Sequence, residues 1–353
     1  MKNLILFAFL FVINILPASA QRVKDAAEGT PYYLPLTQLR FSVLYEKTSY
    51  TPGEFAIYAD KYLKMRNVAM KPMVSYRIVG FEIKSVAERD TSKYYVLPTD
   101  NKHNIQTVDL DENGVLLAVN AEPKVIAKPE KFVPSPRKPA LNPRDYMNED
   151  ILSAGSSAKM AELCASEIYD IRDSKSLLTK GQADFMPKDG EQLRIMLNNL
   201  ETQEEALLQL FSGVTTKDTL EKVITFVPER AVDRQLLFRF SKWMGLTDID
   251  DLGGSPYYIS VEDLKITPSI QDYAVSQKPA KDNGGIYVNL PGKIKVTLHR
   301  GSEQWAAYEL YAAQFGRVEM LNDDLFGKKI YTSVVLNPVT GNMDSMKSEP
   351  VRK

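Results

Sequence analysis

Ser156 to Gly213 is the one stretch of this sequence with long, unbroken helical periodicity, and the chain on either side of it reads as strand. Met160, Leu163, Cys164, Ile168, Ile171 and Leu178 recur at the spacing that lines one face of a 3.6-residue helix, and Gly181 follows as a stop. A second helix opens at Asp189, an N-cap residue with Gln192 three positions later, as in a capping box. Leu193, Met196, Leu197, Leu200, Leu207 and Phe211 mark its buried face, and Gly213 ends it. The short connection favours antiparallel packing, so residues 156–213 are expected to form a long central helical hairpin. Such a hairpin is a scaffold. Whatever the chain recognises has to be sought in the β segments.

Before the hairpin, residues 31–120 read as an N-terminal β-rich module. Leu39, Phe41, Val43 and Tyr45 alternate with less apolar positions, and Pro52-Gly53 breaks the pattern. Phe55 to Met65 reads as a short helix with Phe55, Tyr58, Ala59 and Tyr62 on one side. Strands follow over Tyr76 to Ile83 and Tyr94 to Leu97, then a pair joined through Asp111-Glu112-Asn113-Gly114, where Asn-Gly between apolar alternations signals a hairpin. Residues 121–148 change character. Six prolines interleave with six Lys or Arg residues, a composition that buries little and reads as an extended linker.

After the hairpin, residues 214–347 read as a C-terminal β-rich module with strands over Leu220–Val227, Leu236–Phe240, Tyr257–Ile266, Ile294–His299, Trp305–Tyr311 and Ile330–Leu336. The expected class is α+β, with two antiparallel, sandwich-like modules around the hairpin. A gapless offset of 181 residues sets Phe55, Tyr62, Tyr76 and Ile78 against Leu236, Trp243, Tyr257 and Ile259. That pattern admits an internal repeat or generic strand alternation.

Met1 to Ala20 has the form of a secretory signal peptide: Lys2, an apolar core from Leu4 to Leu16, then Ala18-Ser19-Ala20 before Gln21. The apolar core is too short to span a bilayer, no later segment is apolar enough, and no Cys follows the cleavage site to carry a lipid. The expectation is a periplasmic or extracellular protein without a membrane span or lipid anchor. Charge is balanced, 44 basic against 45 acidic residues with no basic block, so nucleic acid is not an expected partner. The single cysteine, Cys164, sits on an apolar helix face and reads as a buried, inert thiol.

Chemistry-bearing constellations are sparse. Asp109 to Gly114 matches the first half of a calcium loop, but the twelfth position is Asn120 where a bidentate Glu is needed, and the flanks are strand-like. Two histidines, His103 and His299, leave little for a zinc site or a Ser-His-Asp arrangement. No cofactor is expected. Acid clusters at Asp248, Asp250 and Asp251 and at Asp323 and Asp324 are the basis for one alternative, a carbohydrate-active hydrolase using paired carboxylates. Aromatics supply the other candidate. Trp305, Tyr308 and Tyr311 share a segment, with Trp305 and Tyr311 expected on one face of a strand, as binding residues or as half-buried sheet residues. The favoured reading is a non-catalytic binding or assembly protein of the bacterial cell envelope, with an envelope protein or glycan as partner.

Four segments carry a family resemblance: Tyr32-Tyr33-Leu34-Pro35-Leu36-Thr37; Pro52-Gly53 with Tyr58-Ala59 and Tyr62-Leu63; Ile171-Arg172-Asp173-Ser174 through Pro187 to Gln192; and Ala313-Gln314-Phe315-Gly316. Together they resemble a secreted family of Bacteroidetes catalogued only as a domain of unknown function, number four-eight-three-one. The resemblance spans nearly the whole mature chain and implies an exported envelope protein of a Gram-negative bacterium. It brings no catalytic residues. Lys64 stands where the resemblance leads one to expect a glycine.

Overall fold

The computed structural model describes residues 29–99, 101–125, 132–137, 139–270, 275 and 285–351. The expected signal peptide, residues 1–20, lies outside them, as do residues 126–131 and 138 of the proline-rich segment. The architecture is mostly antiparallel sheet with two long helices, an α+β fold.

Two very long strands come first. β1 (Gly29–Thr51) and β2 (Met73–Pro98) pair antiparallel along nearly their whole length. The stretch Tyr94 to Leu97, expected as a separate strand, is the end of β2. At about 3.3 Å per residue, β1 runs roughly 75 Å, too far to lie over one small core. It crosses two. Leu39, Phe41 and Val43 are fully buried in the first, and Tyr32 and Leu34 in the second. The register slips between Tyr33 and Pro35, where a residue without an N–H cannot serve the ladder.

The first core lies between two sheets. β5 (Val214–Phe226) pairs with the free side of β1, giving the order β2-β1-β5. Against it stand β6 (Val232–Ser241), β7 (Gly245–Thr247), β8 (Ser255–Ile266), β9 (Tyr287–Arg300) and β10 (Glu303–Met320), in the order β10-β9-β8-β6-β7. Phe238, Ile259, Val261, Ile294, Val296 and Leu298 fill the space between. The second core is capped by β3 (Val108–Leu110), β4 (Leu116–Val119), β11 (Ile330–Leu336) and β12 (Met343–Pro350), in the order β12-β11-β4-β3.

Strands from before and after the helices therefore share sheets. β5 adds to β1, and β11 pairs with β4. The two separate β-rich modules expected from the sequence are interleaved, because strand pairing is set by long-range register that linear order does not encode. The 181-residue offset does not mark a repeat either. Phe55 to Leu63 is a 3-10 turn running into α1 (Ala59–Leu63), whereas Leu236 to Ser241 belongs to β6.

The third core is helical. α2 (Glu149–Leu152), α3 (Ser157–Lys180) and α4 (Gly190–Ser212) pack with α1 around Phe55, Ile151, Cys164, Ile168, Leu207 and Phe211. Ser156 and Asp189 accept hydrogen bonds from the Lys159 and Gln192 amides as N-caps, and Gly181 closes α3 at φ 68°. The reciprocal half of the capping box is displaced by one residue, with Gln192 Oε1 accepting from the Lys188 N–H. The apolar stripe on α4 is only half used. No residue from Thr179 to Glu205 is buried, and Met196 lies 39 % exposed, because the far end of the pair has only the facing helix to cover it.

Candidate binding cleft

One corner of the sandwich is open. β2 and the β6–β7 turn meet there through a single hydrogen bond, the Tyr76 N–H donating to the Lys242 carbonyl at 2.7 Å. Gly245, at φ 77°, turns the chain against the Tyr76 ring, where a side chain would crowd it. The cleft beside this contact has a volume of about 390 Å³. Its floor and walls are largely aromatic: Tyr76 from β2, Phe240 from β6, Tyr257 from β8 and Trp305 from β10.

Trp305 reaches the cleft because of a bulge. β9 and β10 are joined at Gly301-Ser302, and the register slips between Gln304 and Ala306, so the extra residue Trp305 turns inward. Its ring packs 4.9 Å from Phe81 and 5.2 Å from Tyr257, centroid to centroid, and stays 36 % exposed. Tyr257 is itself stacked on Phe238 at 4.5 Å. Burial pushes the Tyr257 hydroxyl above its ordinary range, and the charge of Arg300, its cross-strand register partner, opposes the rise.

Three cations rim the aromatic walls. Arg77 Nε donates to Glu46 Oε1 at 3.0 Å, and that hydrogen bond holds the Glu46 carboxyl below its usual range. Lys242 lies with Nζ 4.9 Å from the Trp243 ring centroid. Among the described residues, neither Lys242 nor Arg300 has a carboxylate partner. The cleft thus joins an apolar, π-rich wall to two positive charges that no carboxylate among the described residues neutralises.

Of the three aromatics expected to act together, the structure brings only Trp305 to this site. Tyr308 packs against the sandwich core. Tyr311 lies on the opposite face of β10, 43 % exposed and beside Lys293. Trp305 and Tyr311 therefore do not share a face, because the bulge at Trp305 shifts the alternation by one residue. In the sequence Tyr76 and Tyr257 read only as strand residues, and Lys242 and Arg300 carry no local signal of a site. They come from four separated segments, and only cross-strand register joins them.

The other constellations are committed locally. Asp111 Oδ1 accepts from the Asn113 and Val115 amides and forms the β3–β4 turn, with Gly114 at φ 78°. Asn120 is buried, accepting from the Gln106 amide and donating to Asn104 and Thr332 carbonyls. Asp251 caps its own turn by accepting from the Gly253 N–H, and Asp323 faces His103 at 3.3 Å. Neither acid cluster lines the cleft.

A shallow groove on the outer face of β8 and β9 does bring Ser260, His299 and Asp233 together. Ser260 Oγ lies 3.2 Å from His299 Nε2 and 3.1 Å from Asp233 Oδ1, and it also accepts from the Arg234 N–H at 3.0 Å. The carboxylate reaches the hydroxyl and not the imidazole, so the base has no carboxylate to orient it there, and a backbone donor occupies one of the two lone pairs of the hydroxyl oxygen. Cys164 is fully buried, and burial pushes its thiol up to about 12, the state of an inert core residue. Among the described residues no helix is long and apolar enough to cross a membrane.

Of the segments that carry the family resemblance, Tyr32 to Thr37 and Ala313 to Gly316 lie at the crossing between the two β cores, and the other two belong to the helical part around α1, α3 and α4. Gln314 accepts from the Thr37 N–H at 3.0 Å and donates to its carbonyl at 2.8 Å, while Thr37 Oγ1 accepts from the Ala313 N–H. Gly316 abuts the Leu290 carbonyl so closely that a Cβ would overlap it. These residues build the fold. No curated protein and no solved structure matches the chain. The family model described as Domain of unknown function (DUF4831) matches residues 28–344, and the chain belongs to that family.

Proposed function

We propose that this chain is a non-catalytic binding or assembly protein of the bacterial cell envelope, exported through its Met1–Ala20 segment, and that it engages its partner at the cleft around Trp305. Origin in Bacteroidetes and a periplasmic or extracellular location belong to the same reading. The observation that carries it is the cleft itself: half-exposed indole, aromatic walls and two cations that no carboxylate among the described residues neutralises, with no carboxylate pair on its lining. Ligand sites typically combine such an apolar lining with a few placed polar groups. A hydrolase would need two carboxylates about 5 to 10 Å apart across its substrate.

The test is recovery of partners from native envelope extract by wild-type protein and by Trp305→Ala, with thermal unfolding measured on both. The expected result is weakened recovery with the fold retained. Undiminished recovery by a folded Trp305→Ala protein rules out the cleft. Glycan hydrolysis that disappears on changing Asp250 or Asp324 would establish the enzyme instead.

A further inference from the structure

The polar groups at the cleft are unusual in kind. Arg77, Lys242, Arg300 and the Trp305 indole N–H carry only donors, and Ser255 and the tyrosine hydroxyls are the remaining polar side-chain groups on the lining. A ligand that satisfies this set must be rich in acceptors. Arg77 is already neutralised by Glu46, whereas Lys242 and Arg300 leave two positive charges to be met. Their position beside the open indole of Trp305 adds a second requirement, a ring with an apolar face. A volume of about 390 Å³ is at the small end of ligand sites.

We propose that the cleft binds an acidic sugar, a uronic acid residue of a glycan, with its carboxylate between Arg300 and Lys242 and its pyranose C–H face on Trp305. This rests on the reading of the cleft as the binding site of an exported protein. A pyranose presents axial C–H groups that pack on an indole, and its ring and hydroxyl oxygens accept from cationic donors. The exposed position of Arg300 and Lys242 makes the electrostatic part sensitive to salt.

The chain has two tryptophans, so Trp243→Phe keeps a ring beside Lys242 and leaves Trp305 as the single tryptophan, read by tryptophan-selective excitation inside the cleft. Titrating that variant with a galacturonic acid trisaccharide and with a neutral galactose trisaccharide, at about 20 mM and about 500 mM salt, reads both ring and charge recognition. The acidic trisaccharide is expected to bind about tenfold or more tightly than the neutral one at low salt, the scale of one hydrogen-bonded charge. Arg300→Gln and Lys242→Gln should each remove most of that preference, and Lys347→Gln, on β12 and away from the cleft, should not. Equal binding of the two trisaccharides overturns the proposal, as does binding of adenosine monophosphate without binding of the uronate. If no trisaccharide binds while Trp305→Ala still loses envelope partners, the sugar ligand is wrong and the binding cleft stands.

Discussion

Lys64 shows how much a single backbone position can hold. It ends α1 in the left-handed region, at φ 58° and ψ 25°, a conformation that costs a residue with a Cβ about 1 kcal/mol or more and a glycine almost nothing. The chain keeps a lysine there, and its Nζ donates to the Lys61 carbonyl. Lys64→Gly should therefore raise stability by about 0.5 to 1 kcal/mol in denaturant unfolding. A fall in stability would mean that the Lys64 side chain contributes more than its backbone strain costs. Trp305 makes the complementary point. Its aromatic character was legible as a binding candidate, but its partners were not, since the bulge that turns it toward Tyr257 is a property of the β9–β10 register.

At the level of elements, the two long helices α3 and α4 are where periodicity, caps and stops agreed most closely with the structure, yet their burial is uneven. Leu207 is fully buried against α1 and α3, whereas Leu193 is half-covered near the open end. Leu207→Ala should cost about 2 to 5 kcal/mol and Leu193→Ala under about 1 kcal/mol, measured by urea unfolding. Similar losses at both would show that the whole of α4 is packed. The two helices are also tied by charge. Burial alone would raise the Glu204 carboxyl, but hydrogen bonds from Arg172 at 2.7 Å and Lys175 at 3.2 Å outweigh it and hold it below its ordinary range. A carboxyl lowered in the folded state stabilises above its unfolded pKa, about 4.3, and that contribution is lost as pH falls through the folded value. The stability difference between wild type and Glu204→Gln should thus be larger at pH 7 than at pH 3. An equal difference at both would show that the ion pairs add nothing.

For the whole molecule, the decisive feature is the crossing of β1, β9 and β10 between two β cores. Thr37, Gln314 and Gly316 hold it, and Gly316→Ala must displace the Leu290 backbone. We expect Gly316→Ala to destabilise the protein by about 3 kcal/mol or more and to loosen both β cores together, read by hydrogen exchange at Leu34 and Val296. Protection lost at one of the two residues alone would show that the cores are independent. The amino-acid sequence by itself determined the α+β class, the two long helices with their caps at Ser156 and Asp189, the Asn113-Gly114 turn and the alternating core faces of β1 and β9. Each depends on neighbours within a few residues, where period, capping and turn chemistry act. Only the tertiary structure decided that β5 joins β1, that β11 joins β4, that the offset resemblance of residues 55–84 to residues 236–265 is no repeat, and that Tyr76, Tyr257, Arg300 and Trp305 enclose one cleft. Those outcomes turn on pairing between segments far apart in the chain, which is fixed by the joint burial of faces and not by any local signal.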